Sequence, residues 1–99
     1  MVDLHSDSVD RLFAAILSLE SIDECYRFFE DICTIKELRD ISQRLQIAEL
    51  LDQGMNYQSI ARAVDASSAT ISRVSRCLNY GSGGYRAALE KLQPMEGAQ

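Results

Sequence analysis

The chain has 99 residues with a formal net charge of −5, 46% hydrophobic residues and 25% charged residues. This length predicts a single domain, residues 1–99, with a small core, and the acidic balance argues against indiscriminate binding to nucleic acid. The charge is uneven: residues 1–56 hold five Arg or Lys against twelve Asp or Glu, whereas residues 57–91 hold five against two. Because phosphate contacts are local and distant charges are screened, the basic segment can still dock on DNA.

Several classes of protein are not favoured by the sequence. Cys25, Cys33 and Cys77 lack the spacing of a metal site, and the only histidine is His5, so we expect no metal or cofactor. The cysteines are expected to pack as small, buried or half-buried apolar residues. No nucleophile with a base beside it can be picked out, so an enzyme is not expected. Without a signal peptide or a membrane-spanning run, a cytoplasmic protein is predicted.

Helical periodicity covers nearly the whole chain, and strand patterns are almost absent, so the predicted fold is all-α with about six helices. A first helix, about residues 8–19, is apolar on more than one side. Capping boxes at Ser21/Glu24 and Thr34/Glu37 open a second helix, to about Asp31, and a third that ends before Gly54. The predicted core face of the third helix is Leu38, Ile41, Leu45, Ala48 and Leu51.

A helix-turn-helix is predicted for residues 56–78. Asn56 is a suitable cap for its first helix, and Ser67 for its second. Asp65, between them, tolerates the left-handed backbone of a tight turn. The predicted apolar sides of the two helices are Ile60, Ala61 and Val64 in the first, and Ile71, Val74 and Leu78 in the second.

The outer face of the second helix has the properties of a helix that reads the DNA major groove. Helical geometry places Ala69, Ser72, Arg73 and Arg76 opposite the apolar stripe. These side chains offer little bulk, a hydroxyl, and guanidinium groups that can fork onto guanine or phosphate. With Ser67, Ser68 and Thr70 they are the candidate contacts to double-stranded DNA. The alternative is a helical dimerisation or adaptor module that does not bind DNA.

The remaining segments complete the predicted architecture. A glycine-rich turn at 81–84 leads to a C-terminal helix, about residues 84–92, and a polar tail at 93–99. The helices before residue 54 present more apolar surface than a monomer of this size can cover, which predicts a homodimer. In the alternative arrangement, the first two helices wrap only the third helix of their own chain.

Three sequence features resemble the Trp repressor superfamily, and within it the Trp-repressor-related YerC/YecD family. They are the run Ala69-Thr70-Ile71-Ser72-Arg73, Gln58 at the start of the helix-turn-helix, and the pattern Arg44-x-x-Ile47-x-Glu49-x-Leu51-x-x-Gly54. The likeness in helix order covers about residues 8–92. It implies an intertwined homodimer with dimerisation helices at 8–53 and projecting DNA-reading heads. It also adds Gln58 to the candidate DNA contacts.

The resemblance also raises the question of a small-molecule effector, because the repressor of this superfamily binds L-tryptophan. Arg44 and Arg73 match the two arginines that sandwich the indole, and Thr34 matches a threonine at the pocket edge. Val74 stands where the family has glycine, and Cys77 where it has serine. The valine is expected to fill the pocket. A different effector, or none, is therefore predicted rather than L-tryptophan.

Overall fold

A computed structural model describes residues 4–92. Within this range the chain forms six α-helices and no strand, which confirms the all-α prediction. The helices are α1 (Asp7–Leu17), α2 (Ile22–Ile32), α3 (Ile35–Asp52), α4 (Tyr57–Val64), α5 (Ser68–Tyr80) and α6 (Gly84–Lys91). No helix in the described range has both the length and the apolar character needed to cross a membrane. The predicted tail, 93–99, lies outside the described residues.

Local capping explains where the helices begin. Glu37 and Thr34 cap α3 reciprocally: the Thr34 hydroxyl accepts from the Glu37 amide at 3.1 Å, and the Glu37 carboxylate accepts from the Thr34 amide at 2.8 Å. Ser21 caps α2 by accepting from the Glu24 amide at 3.1 Å, while the Glu24 carboxylate reaches the amide of Glu20. The predicted capping box at Thr34/Glu37 is therefore complete. At Ser21/Glu24 only the serine half forms, because the Glu24 carboxylate accepts from the amide of Glu20 instead of that of Ser21.

Several helix bounds differ from the sequence prediction. α2 ends at Ile32 instead of Asp31, and α5 runs to Tyr80, two residues beyond the predicted helix-turn-helix. α1 begins at Asp7 instead of residue 8, because Ser6 is its cap and accepts from the Val9 amide at 3.2 Å. It also ends two residues early, at Leu17. α6 ends at Lys91, one residue before the predicted end. Such shifts are typical of helix termini, which fray.

The described chain divides into two compact units, and the boundary in the sequence falls within α3, between Leu38 and Arg39. The N-terminal unit, 4–38 in the described range, contains α1, α2 and the first turn of α3. No residue of α1 or α2 is buried. The large apolar side chains of this unit that are more than half exposed are Leu4, Phe13, Leu17, Ile22, Tyr26, Ile32 and Ile35.

The C-terminal unit, 39–92 in the described range, has a core of its own. Five buried side chains from three helices form it: Ile47 and Ala48 of α3, Ile60 of α4, and Ile71 and Val74 of α5. Half-buried residues from α3 to α6 pack around it, including Leu51, Val64, Tyr85 and Leu89. Burial of each large aliphatic side chain contributes about 1.5–3 kcal/mol, so this small core can fix α4 and α5 on α3.

The predicted core face of α3 is only partly correct. Ala48 is buried as expected, and Leu38, Leu45 and Leu51 are half-buried, but Ile41 is exposed. Ile47, which the predicted face left out, is fully buried. α3 therefore turns its Ile47–Ala48 side toward α4 and α5.

Candidate nucleic-acid interface

The turn between α4 and α5 has the predicted chemistry. Asn56 caps α4 by accepting from the Ser59 amide at 2.9 Å, and Ser67 caps α5 by accepting from the Thr70 amide at 3.1 Å. Asp65 has φ 52° and ψ 48°, the left-handed conformation. It is the only non-glycine residue with positive φ in the described chain. An abrupt reversal after Val64 thus brings α5 back across α4 as the second helix of a helix-turn-helix.

α5 has two clearly different faces. Its apolar side chains Ile71, Val74 and Leu78 are buried, as predicted. The predicted outer residues Ala69, Ser72, Arg73 and Arg76 are all exposed. No acidic residue occurs in α5, so its outer face is small, hydroxylated and basic. That combination suits contact with a phosphate-lined groove and with base edges.

The other predicted contact residues have more specific positions. Gln58 is exposed in the first turn of α4, and Ser68 is exposed in the first turn of α5. The Ser67 and Thr70 hydroxyl oxygens lie 3.0 Å apart, and the Ser67 hydroxyl also accepts from a backbone amide. These two hydroxyls therefore shape the start of α5, whereas Ser68 and Ser72 project from its surface.

Arg62 is a further exposed cation on this segment, and the candidate list from the sequence omitted it. It lies in the last turn of α4, one turn before the reversal at Asp65. In residues 57–80 the charged side chains are Arg62, Arg73, Arg76 and Asp65. The surplus of positive charge in this half of the sequence was the signal that could have identified Arg62.

The residues of the candidate effector pocket have separate roles. Val74 is buried and belongs to the core, so its side chain occupies apolar space instead of lining a vacant site. The Thr34 hydroxyl, in the N-terminal unit, is used to cap α3. Arg44 and Arg73 are exposed. Cys77 is exposed as well, so the expectation of a buried or half-buried thiol is wrong there, although Cys25 and Cys33 are half-buried.

Arg44 and Cys77 share one neighbour, the half-buried Tyr85 of α6. Burial raises the pKa of the Tyr85 hydroxyl above its ordinary value, Cys77 raises this pKa further, and Arg44 lowers it. Cys77 and Tyr85 also line a shallow groove between the end of α5 and α6, together with Gly81, Ser82, Gly84 and Ala88. Within residues 4–92, no three His, Cys, Asp or Glu side chains cluster as metal ligands would.

The amino-acid sequence is similar to known sequences over most of its length. A family model described as Trp repressor protein matches residues 7–93. The uncharacterized protein YerC of Bacillus subtilis (strain 168) is 48% identical over 93 residues, which cover 94% of this chain and 89% of YerC. The match therefore includes the dimerisation helices predicted from the sequence as well as the helix-turn-helix.

Solved structures agree with the sequence comparisons. A candidate Trp repressor from Staphylococcus aureus is 46% identical with a TM-score of 0.86, covering 89% of this chain and 88% of that one. A TrpR-like protein from Eubacterium eligens is 50% identical with a TM-score of 0.86, covering 89% of this chain and 91% of that one. Since the family model, the sequence identity and the backbone agree over nearly the same residues, the chain belongs to the Trp repressor superfamily, in the family that includes YerC.

Proposed function

We propose that this protein is a homodimeric, sequence-specific DNA-binding transcriptional regulator that acts in the cytoplasm as a repressor. The observation that carries the proposal is the division of α5 into a buried apolar face and an exposed basic face without acidic residues. An ordinary packing helix needs only the first of these faces. Membership of the Trp repressor superfamily supports the same function.

Exposure in the N-terminal unit supports the homodimer. Phe13, Leu17 and Ile22 are all more than half exposed in the single chain. Soluble proteins rarely leave so many large apolar side chains in water unless another surface covers them. In the proposed dimer, α1 and α2 of two chains cover each other, and the two copies of α5 are related by a twofold axis.

On the proposed dimer, each α5 enters the major groove of one half-site. Ala69, at its N-terminal end, permits close approach to the bases, while Arg73 and Arg76 bind guanine edges or phosphates. Ser72 and Ser68 add hydroxyl contacts from the same surface. Gln58 and the capped start of α5, at Ser67 and Thr70, are proposed to face the phosphate backbone.

Effector control is proposed to differ from that of a tryptophan-dependent repressor. Val74 is part of the core, and the Thr34 hydroxyl is engaged in a cap. Of the candidate pocket, Arg44, Arg73 and Cys77 retain exposed side chains. Any small-molecule effector would therefore bind without displacing Val74.

Selection of bound sequences from random duplex DNA tests the proposal. We expect a near-palindrome whose half-sites lie about one helical turn, roughly 34 Å, apart. Arg73→Ala and Arg76→Ala should each weaken specific binding by about 1–3 kcal/mol if the arginine contacts a base. If an arginine contacts only phosphate, the loss should be uniform across sequences and the salt dependence shallower.

Ala69→Glu is the sharper variant, because it adds a carboxylate and bulk to the proposed groove-facing surface without changing the apolar stripe. We expect it to abolish specific binding while the dimer stays folded. Ala87→Glu is the matched control, since Ala87 is an exposed alanine on α6. Undiminished binding by a folded Ala69→Glu dimer would place α5 outside the groove. Absence of DNA binding by the natural protein at low salt would favour the adaptor alternative.

A further inference from the structure

The pair of helices α4 and α5, here called the reading head (57–80), is attached to the rest of the C-terminal unit by polar contacts as well as by the core. We propose that Gln43 and Arg86 are positioning residues that fix the angle of the reading head on α3 and thereby set the spacing between DNA half-sites. The second part of this inference rests on the proposed function. The first part concerns the free protein and can be tested without DNA.

Gln43, on α3, binds the reading head at the end of α4. Its side-chain amide nitrogen donates to the backbone carbonyl of Val64 at 3.0 Å, and this hydrogen bond is partly buried. Val64 is the last residue of α4, and its carbonyl has no partner within the helix because the chain reverses at Asp65. A side chain of α3 thus satisfies a carbonyl that the helix leaves open, at the reversal itself.

Arg86, on α6, binds the reading head at the end of α5. From α6, its Nη1 donates to the Asp52 carboxylate at the end of α3 at 2.5 Å, and its Nη2 donates to the Asn79 side-chain oxygen in the last turn of α5 at 3.1 Å. The Asn79 side-chain amide donates in turn to the Ser75 carbonyl at 3.0 Å. One planar guanidinium therefore joins the ends of α3 and α5 with two directional bonds.

The two contacts meet α3 on opposite sides of the core. Gln43 and Asp52 are nine residues apart, about 13 Å along a helix, and the core residues Ile47 and Ala48 lie between them. Apolar contact is non-directional, so a core of five side chains resists separation of the helices better than it resists rotation. Hydrogen bonds are directional, and one on each side of the core opposes that rotation.

The energetics favour orientation over stability as the role of Arg86. The Arg86 and Asp52 side chains are 46% and 45% exposed, and half-exposed ion pairs contribute little to net stability. On a twofold dimer, however, a tilt of each reading head on α3 changes the separation of the two copies of α5. A change of about 3.4 Å corresponds to one base pair, so a small tilt alters which operator fits.

The test compares Gln43→Leu and Arg86→Met with two matched controls in the full chain. Gln46→Leu removes an exposed glutamine from α3, and Lys91→Met removes an exposed cation from α6. The selected palindrome is then rebuilt with its half-sites moved one base pair closer or further apart. We expect the natural protein and both controls to prefer one spacing about tenfold. The Gln43 and Arg86 variants should show a spacing preference at least threefold weaker than that of the natural protein. The Arg86 variant should keep a melting temperature near that of the natural protein.

Arg86→Lys separates positioning from charge, because lysine keeps the positive charge but cannot fork between Asp52 and Asn79. We expect it to recover less than half of the lost spacing preference. If Gln43→Leu and Arg86→Met both keep the natural spacing preference, neither residue positions the reading head and the proposal is overturned. If Arg86→Lys restores the full spacing preference, the positive charge suffices and the positioning role of Arg86 is overturned.

Residual dipolar couplings of backbone amides test the orientation of the reading head in the free protein, without any DNA. They report the orientation of α4 and α5 relative to α3. We expect altered or averaged couplings in the Gln43 and Arg86 variants and natural values in the controls. If no DNA is bound, the proposed function fails, and the couplings alone decide whether the two residues position the head. Natural couplings in both variants would overturn the inference.

Discussion

The C-terminal unit closes a core from five apolar side chains of three helices, whereas α1 and α2 of the N-terminal unit bury none. Apolar content does not explain the contrast, because Phe13, Ile16, Phe28 and Phe29 make α1 and α2 at least as apolar as α4 and α5. Phe28 and Phe29 do contact each other, with ring centroids 5.4 Å apart in an edge-to-face arrangement. The C-terminal unit therefore covers its own apolar core, and the N-terminal unit leaves its large apolar side chains exposed in the single chain.

Helices are capped by side chains in both the N-terminal and the C-terminal unit. α2 and α3 are capped by Ser21 and Thr34, and α4 and α5 are capped by Asn56 and Ser67. Capping needs only residues three positions apart, and burial needs a second element. The comparison thus separates helix capping, which a short segment determines for itself, from burial, which depends on contacts with other helices.

Phe13→Asp has the largest expected effect among the variants that test the difference between the two units. Phe13 is 54% exposed in the single chain, so an aspartate there would be tolerated by a monomer. In the proposed dimer the carboxylate would be buried without a partner, and we expect folding to be abolished. Circular dichroism and sedimentation measure this outcome. Tyr80→Asp, at an aromatic that is 87% exposed in the C-terminal unit, is the matched control. A Phe13→Asp protein that folds as a monomer at micromolar concentration would remove the shared core.

Ile47→Ala has the next largest expected effect. Ile47 is fully buried, and the substitution should lower the free energy of unfolding by about 2–5 kcal/mol, measured by urea denaturation at fixed protein concentration. Ile35→Ala changes the same residue type at the start of the same helix, where the side chain is 73% exposed. A loss below about 0.5 kcal/mol at Ile35 would mean that this part of the N-terminal unit remains in water. A larger loss would indicate that a second copy covers it.

Addition of L-tryptophan has the smallest expected effect, because the buried Val74 is proposed to occupy the space that the indole would need. We expect no change in melting temperature and no heat in calorimetry at millimolar L-tryptophan, with L-valine as the control amino acid. A ligand present at a hundred times its Kd would stabilise the protein by about 2.7 kcal/mol. Saturable stabilisation by L-tryptophan alone would show that the site rearranges around Val74, and would return Arg44 and Arg73 to a ligand-binding role.

The sequence was sufficient for the order of the helices, most of their caps and the two faces of α5, because these depend on spacing within one or two turns. Gly54, predicted to end α3, does follow it with φ 88°. Asp65 and Ser67 were likewise predictable, since few residue types suit a left-handed turn or an N-cap. The N-cap of α1 was missed only because three serines and aspartates in succession, at residues 6–8, offer competing start sites.

The orientation of α3 could not be predicted in the same way. Its apolar residues surround much of the helix, so periodicity alone did not distinguish Ile47 from Ile41 as a core residue. The choice is made by α4 and α5, which pack on the Ile47–Ala48 side. Cys77 and Tyr80 are exposed for a related reason, since they lie on the part of α5 that the core does not use. The polar contacts of Gln43 and Arg86 join residues 21 and 34 positions apart and leave no local signal.

The caps also have a consequence for the order of events during folding. Five of the six described helices begin with a side chain that accepts from an amide three residues ahead. Such helix starts can form in the isolated chain within about a microsecond. Encounter of two chains at micromolar concentration, with association rate constants of about 10⁵–10⁷ M⁻¹s⁻¹, takes roughly 0.1 to 10 s. In the proposed dimer the slow step of folding is therefore bimolecular. Helix starts form and break many times in a new chain before that chain meets a second copy.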